Sequence, residues 1–184
     1  NKRKLIAEET LRILESGEYL APESELVSIR ESLNATKSGT VLYTPDNFAF
    51  APPGEKINEP QIDVVNQTTF AGAKHLLDEG VSDVCALNFA SAKNPGGGFI
   101  GESEAQEESL ARASALYASL LQAPDYYEIN RRCGTALYTH HIIYSPGVPV
   151  FRDDADRLLA EPWPCSIITA PAPNAGAVRR NEQN

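Results

Sequence analysis

Val84-Cys85-Ala86-Leu87-Asn88-Phe89 is an almost unbroken apolar run, and Asn94-Pro95-Gly96-Gly97-Gly98-Phe99-Ile100-Gly101 follows it after a short interval. A short run of this kind, bounded by turn residues, is the pattern of a strand buried on both faces. Upstream, Thr69 to Glu79 carries helical spacing and stops at Gly80, and Ile62 to Val65 reads as an earlier strand. Strand, helix and buried strand in that order predict a βαβ unit with a right-handed crossover and a parallel pair. Ligands of such sheets bind beyond the carboxyl ends of the strands, which is where the triple-glycine loop falls. The expected class is α/β.

Working outward, Ser103 with Gln106 three residues on has the form of a capping box. The helix it opens carries a stripe of Leu110, Ser114, Tyr117 and Leu121 and is expected to end before Pro124. Thr135 to Tyr144 alternates as a strand, Ser145-Pro146-Gly147 turns, and Val148 to Phe151 continues at a sheet edge. Ser166 to Ala170 is a buried strand running into a loop around Asn174-Ala175-Gly176. On the amino-terminal side, Leu5, Ile6, Leu11 and Leu14 mark an amphipathic helix before Gly17, with Glu8, Glu9 and Arg12 on its wet side. Glu18 to Leu33 carries no clear pattern, Lys37-Ser38-Gly39 reads as a turn, and Thr40 to Tyr43 as a short strand. Ala51 to Pro60 is a surface loop rich in Pro and Gly. The 184 residues suit one domain, with residues 1–60 as a helical or irregular extension and 61–184 as the core.

The apolar fraction of 42% and charged fraction of 22% are those of a folded domain, so disorder is not expected. The net charge of -9, with no long basic run, argues against a surface that tracks nucleic-acid phosphates. Cys85, Cys133 and Cys165 are odd in number and without a CxxC, which fits reduced residues of a cytoplasmic protein better than a disulfide or zinc framework. No secretion signal or membrane span is read in the sequence. Asp153-Asp154-Ala155-Asp156 has acidic metal-ligand chemistry, yet no His or Cys accompanies it, and a solvated loop accounts for it better.

Gly96, Gly97 and Gly98 remove every Cβ from their loop, so the backbone can adopt positive φ and approach a ligand closely. Successive N–H groups there can cradle a diphosphate, although three glycines alone fit a plain turn better. The loop is neither a Walker P-loop nor a GxGxxG fingerprint. Glu107 and Glu108 follow it, about 100° apart on a helix, so one carboxyl can reach sugar hydroxyls while the other reaches a reacting bond. Glycosidic cleavage requires such an acid. Equally open on residues alone is an exposed Glu108–Arg112 pair at i, i+4, worth about 0.3–0.5 kcal/mol.

Gly96-Gly97-Gly98, seven residues, then Gln106-Glu107-Glu108 resembles the signature of poly(ADP-ribose) glycohydrolases. Leu87 to Gly96 and Ile168 to Gly176 are similar to the microbial branch of that family, which is built on a macrodomain. The resemblance implies a three-layer α/β/α sandwich around a mixed, mostly parallel sheet and hydrolysis of the ribose–ribose O-glycosidic bond of poly(ADP-ribose), which reverses protein poly-ADP-ribosylation. Carried onto this chain, Glu108 is the catalytic acid and Glu107 holds ribose hydroxyls beside the scissile bond. Gly96, Gly97 and Gly98 contact the diphosphate, Asn94 and Ser91 the terminal ribose, Phe99 shapes the pocket and Gln106 caps. Poly(ADP-ribose) and ADP-ribosylated proteins are the implied partners, ADP-ribose is the product, and a monomer with no metal or cofactor is expected. The family pattern continues past Gly176 into a further helix, a second glycine phosphate loop and an aromatic wall; the sequence stops at Asn184, so those parts are expected to be absent, truncated or unresolved. The alternative function is a module that binds ADP-ribose without cleaving it.

Overall fold

The structure, a computed structural model, describes residues 2–48 and 60–173 together with Gly176, Val178 and Arg179. The expected loop from Ala51 to Pro60, but for Pro60, and the expected loop at Asn174-Ala175 lie outside the described residues. In chain order the helices are α1 (Lys2–Ser16), α2 (Arg30–Gly39), α3 (Thr69–Asp78), α4 (Gln106–Ala113), α5 (Leu116–Leu120) and α6 (Pro124–Arg132). The strands are β1 (Glu18–Leu20), β2 (Leu26–Ser28), β3 (Val41–Tyr43), β4 (Cys85–Ala90), β5 (Ile142–Arg152) and β6 (Leu158–Pro171). β1 and β2 form a small hairpin; the other four make one sheet in the order β3-β5-β6-β4.

That sheet is mixed, as the sequence implied, but its balance differs from mostly parallel. β4 runs parallel to β6, with Cys85 opposite Ser166 and Ala90 opposite Pro171, whereas β3–β5 and β5–β6 are antiparallel. The parallel partner of β4 is therefore supplied by the later β6. Ile62 to Val65, expected to begin the βαβ unit, is coil, with Ile62 82%, Val64 95% and Val65 62% exposed. Among the described residues no strand takes its backbone groups, and four apolar-rich residues cannot hold an extended pairing without one.

Local chemistry explains where the elements start and stop. α1 ends as expected at Gly17, whose φ of 73° lets its N–H reach Ile13 O at 2.8 Å. Its buried side is Ile6, Ala7, Thr10 and Ile13, while Leu5 is exposed and Glu9 turns inward to bond Arg152. The unassigned stretch after Gly17 is the β1–β2 hairpin leading into α2, and Lys37-Ser38-Gly39 forms the last turn of α2 rather than a separate turn. The helix expected to run toward Pro124 breaks at Ser114, which is extended and bridges Val150. Its hydroxyl donates to Leu110 O at 2.7 Å and accepts the N–H of Leu116 at 3.2 Å, a side chain substituting for helical bonds. Leu121 is consequently exposed, and Pro124 opens α6 instead of ending a helix. The expected strand at Thr135 begins only at Ile142. Ser145-Pro146-Gly147 is absorbed within β5 as a register shift, and Val148 to Phe151 continues the strand. It pairs with β6 on one side, while β3 flanks only Ile142–Tyr144 and, among the described residues, the other side meets only the Ser114–Val150 bridge, so this part of β5 lies at a sheet edge as expected.

Alternate residues of β4 point to different surroundings: Ala86, Asn88 and Ala90 are buried, whereas Leu87 and Phe89 are 45% and 60% exposed. The strand read as buried on both faces is half open. Among the described residues the helices gather over the Ala86 side, in one cluster with Leu116, Tyr126, Ile143, Phe151 and Ile167. Ile13, Tyr19, Val27, Ile29 and Leu33, from before residue 60, sit in the same cluster. Of the expected three layers, the described residues supply the sheet and one helical layer. Phe151 is fully buried and its ring lies 5.9 Å from that of Tyr19, which ties the hairpin to β5. Phe151→Ala is expected to cost about 3–5 kcal/mol in chemical denaturation; a loss under about 1 kcal/mol would show that this contact does not hold the hairpin.

Candidate active site

β4 delivers the chain to a turn at Ser91, where the hydroxyl accepts the N–H of Lys93 at 3.3 Å and of Asn94 at 3.1 Å. The loop then tightens: Gly97 N–H donates to Asn94 O at 3.0 Å and Phe99 N–H to Gly96 O at 3.1 Å. Gly96 and Gly97 have φ of 67° and 59°, values that a side chain would disfavour; Gly98 has no positive φ. A Cβ on Gly98 would instead run into Ser103 Oγ, and one on Gly97 into Glu108 Oε1. Close approach to the carboxylates is thus the demand that Gly97 meets.

α4 begins at Gln106, so Glu107 and Glu108 occupy its first turn, where the helix dipole favours negative charge. They are 3% and 8% exposed. Glu107 Oε2 accepts the N–H of Ser91 at 2.7 Å, and Glu108 Oε1 accepts that of Gly98 at 2.9 Å. The exposed Glu108–Arg112 pair is overturned: Glu108 is buried, and Arg112 donates to Phe99 O at 3.2 Å and Ser103 O at 2.9 Å. Burial pushes the Glu107 carboxyl up to about 7, with the neighbouring Glu108 adding to the rise; the Ser91 N–H and the Asn88 side chain draw it down. Glu107 Oε1 is buried without a hydrogen-bond partner within bonding distance.

The capping box is also corrected. Ala105 takes the N-cap position with no side-chain bond, and Ser103 lies outside the helix. Gln106 staples α4 to β4, accepting the N–H of Phe89 at 2.8 Å and donating to Leu87 O and to Thr69 Oγ1, each at 2.9 Å. Among the described residues β4 is an end strand of the sheet, so its backbone groups on the outer side are open to a side chain.

A cavity of about 320 Å³ opens over this turn, lined by Ser91, Lys93, Asn94, Glu107, Glu108 and Tyr138 among others. A larger one, about 450 Å³, lies toward Thr69, Arg112 and Asp154 and contains neither glutamate. A family model for the microbial-type PARG catalytic domain matches residues 7–153. The chain belongs to that family.

The family match agrees with the solved structures. Poly(ADP-ribose) glycohydrolase from Thermomonospora curvata bound to the inhibitor ADP-HPD is 44% identical, with a TM-score of 0.87 over 96% of this chain and 65% of that one. The Deinococcus radiodurans enzyme in complex with ADP-ribose is 48% identical, with a TM-score of 0.71 over 82% of this chain and 62% of that one. This chain therefore spans under two thirds of the length of those relatives. A search of curated proteins found no match.

Of the residues that the microbial PARG resemblance singled out, Ser91, Asn94, Glu107 and Glu108 share the cavity. Gly97 and Gly98 abut the carboxylates from the loop, but their N–H groups are donated to Asn94 and Glu108, so no open anion cradle is formed by those two. Phe99 is fully buried beneath the loop against Tyr117, ring centres 4.7 Å apart, and supports Gly96 instead of lining the cavity. Sequence reasoning missed Lys93, Tyr138 and Asn88. A lone Asn in the run Val84 to Phe89 was a legible signal; nothing in the sequence linked Tyr138 to a loop so far upstream.

Gly97→Ala is expected to cost about 1–3 kcal/mol of stability through its positive φ and the displaced Glu108; an unchanged denaturation midpoint would refute the close-approach account. A pH test follows from Glu107. From 4.5, its ordinary value, to about 7 the folded protein keeps a proton that the unfolded chain releases, so this stabilisation is complete at low pH and lost as pH rises through about 7. Relative to Glu107→Gln, the unaltered chain is expected to lose on the order of 3 kcal/mol across that window; a difference in unfolding free energy that stays flat with pH would contradict it.

Proposed function

We propose that the chain hydrolyses the ribose–ribose O-glycosidic bond of poly(ADP-ribose), releasing ADP-ribose and reversing protein poly-ADP-ribosylation. One observation carries this: two adjacent glutamates, buried at the first turn of α4, are each held by a backbone N–H and together enter one cavity. The relatives solved with ADP-ribose and with an ADP-HPD inhibitor support the substrate class. Glu108 is the acid: its carboxyl protonates the departing ribose oxygen, and the resulting carboxylate then takes a proton from the water that adds to the anomeric carbon. Glu107 holds the hydroxyls of the ribose beside that bond. Its high proton affinity at neutral pH lets it donate as well as accept in doing so.

Ser91 and Asn94 contact the terminal ribose, and the loop of Gly96, Gly97 and Gly98 contacts the diphosphate. Phe99 and Gln106 act one step back, supporting the loop and fixing α4 to β4. We further propose that residues 1–184 act as one domain and as a monomer in the cytoplasm. Three unpaired cysteines are consistent with a reducing compartment, and among the described residues no helix is long and apolar enough to cross a membrane. A module that only binds ADP-ribose leaves the burial of two carboxyls without a purpose, because desolvating them is costly.

Glu108→Gln is expected to lower turnover on poly(ADP-ribose) by about 10²–10⁴-fold with ADP-ribose affinity in calorimetry essentially kept. Turnover that survives this change but is lost in Glu107→Gln would move the acid role to Glu107; turnover surviving both would remove the glycohydrolase reading.

A further inference from the structure

Between α6 and β5 the chain makes a turn whose only bulky residue at positive φ is Tyr138, at 62°. The other non-glycine residues in that region of conformational space among those described are Glu23, Ser24 and Asp156, polar residues of turns. A large aromatic side chain is disfavoured there and persists only when its surroundings impose it. Here they do. Fully buried Asn130 accepts both the N–H and the hydroxyl of Thr139, at 3.1 and 2.9 Å, and donates to Tyr126 O at 2.9 Å. Tyr138 N–H donates to Thr135 O at 3.4 Å on the other side. The tyrosine is thus clamped between a buried amide and the turn before it.

Its side chain is half-buried and lines the cavity that Glu107, Glu108, Ser91 and Asn94 also line. A ring fixed in that place offers an apolar face to the C–H surface of a sugar and a hydroxyl able to donate to or accept from a sugar hydroxyl. Aromatic walls with one polar handle are common in small-ligand sites. We infer that Tyr138 is a ligand-positioning residue that holds the ribose adjoining the scissile bond against Glu107 and Glu108. This rests on the glycohydrolase reading and adds a wall that the glycine–glutamate signature does not contain.

Three variants of the full chain test it. Tyr138→Gly removes the ring and relieves the positive φ, so its melting temperature is expected to stay level or rise while ADP-ribose affinity, by calorimetry, falls at least about tenfold. A residue with only a structural role would give the opposite pattern. Tyr138→Ala keeps the backbone strain and is expected to lose affinity similarly. Affinities within about twofold of the unaltered chain in both would overturn the inference alone. If neither variant folds, Tyr138→Phe decides: a KM for poly(ADP-ribose) raised at least about threefold supports the inference, and an unchanged KM overturns it. Absence of ADP-ribose binding by the unaltered chain would overturn the glycohydrolase reading, and the role of Tyr138 with it.

Discussion

Two backbone N–H groups, those of Ser91 and Gly98, hold two buried carboxyls, and the rest of the molecule is arranged around that pairing. Both donors lie on the loop after β4, and both acceptors lie on the first turn of α4. Satisfying them fixes loop and helix as one unit, since a buried carboxylate stripped of its donors is strongly disfavoured. Gly97 has to lie between them, because any side chain there meets Glu107 and Glu108. The staple from Gln106 to Leu87 and Phe89 then sets the height of α4 against β4.

A second ring of polar contacts keeps this unit from shifting. Buried Arg112 reaches over residues 99–103, bonding Phe99 O and Ser103 O, and its own carbonyl accepts from Thr10 of α1 and from Arg152 of β5. Arg152, 3% exposed, is paired with Glu9 at 2.9 Å. Guanidinium groups with several donors suit this task better than ammonium groups, because each can satisfy carbonyls on different segments at once. The amino-terminal helix is therefore part of the scaffold of the site. Its Glu9, which periodicity places in water, closes the chain of contacts through Arg152.

Much was legible. The α/β class, the helix before Gly17, the strand at Cys85 to Ala90 and the pairing of glycine loop with acidic helix start all follow from local patterns that need few neighbours. What went astray depended on partners distant in sequence. Ile62 to Val65 had a strand's composition but, among the described residues, no strand beside it; Ser145 to Gly147 looked like a turn and lies within β5 because β6 pairs with the residues on both sides of it. The break at Ser114 arises from its bridge to Val150, which no reading of residues 106–121 could supply. Gln106 and Phe99 kept their importance but changed their tasks, one as a staple to β4 and the other as a support under Gly96.

The sequence by itself determined the chemical inventory: a glycine loop able to approach a carboxylate, a helix opening with two glutamates, and a spacing that places both at the end of one strand. Those are local properties of backbone freedom, helical geometry and strand direction. Only the tertiary structure decided that the glutamates are buried, that loop N–H groups point at them instead of outward, and that Tyr138 joins them in one cavity. Each of these depends on how distant segments pack, and burial more than residue identity sets the proton affinity of Glu107.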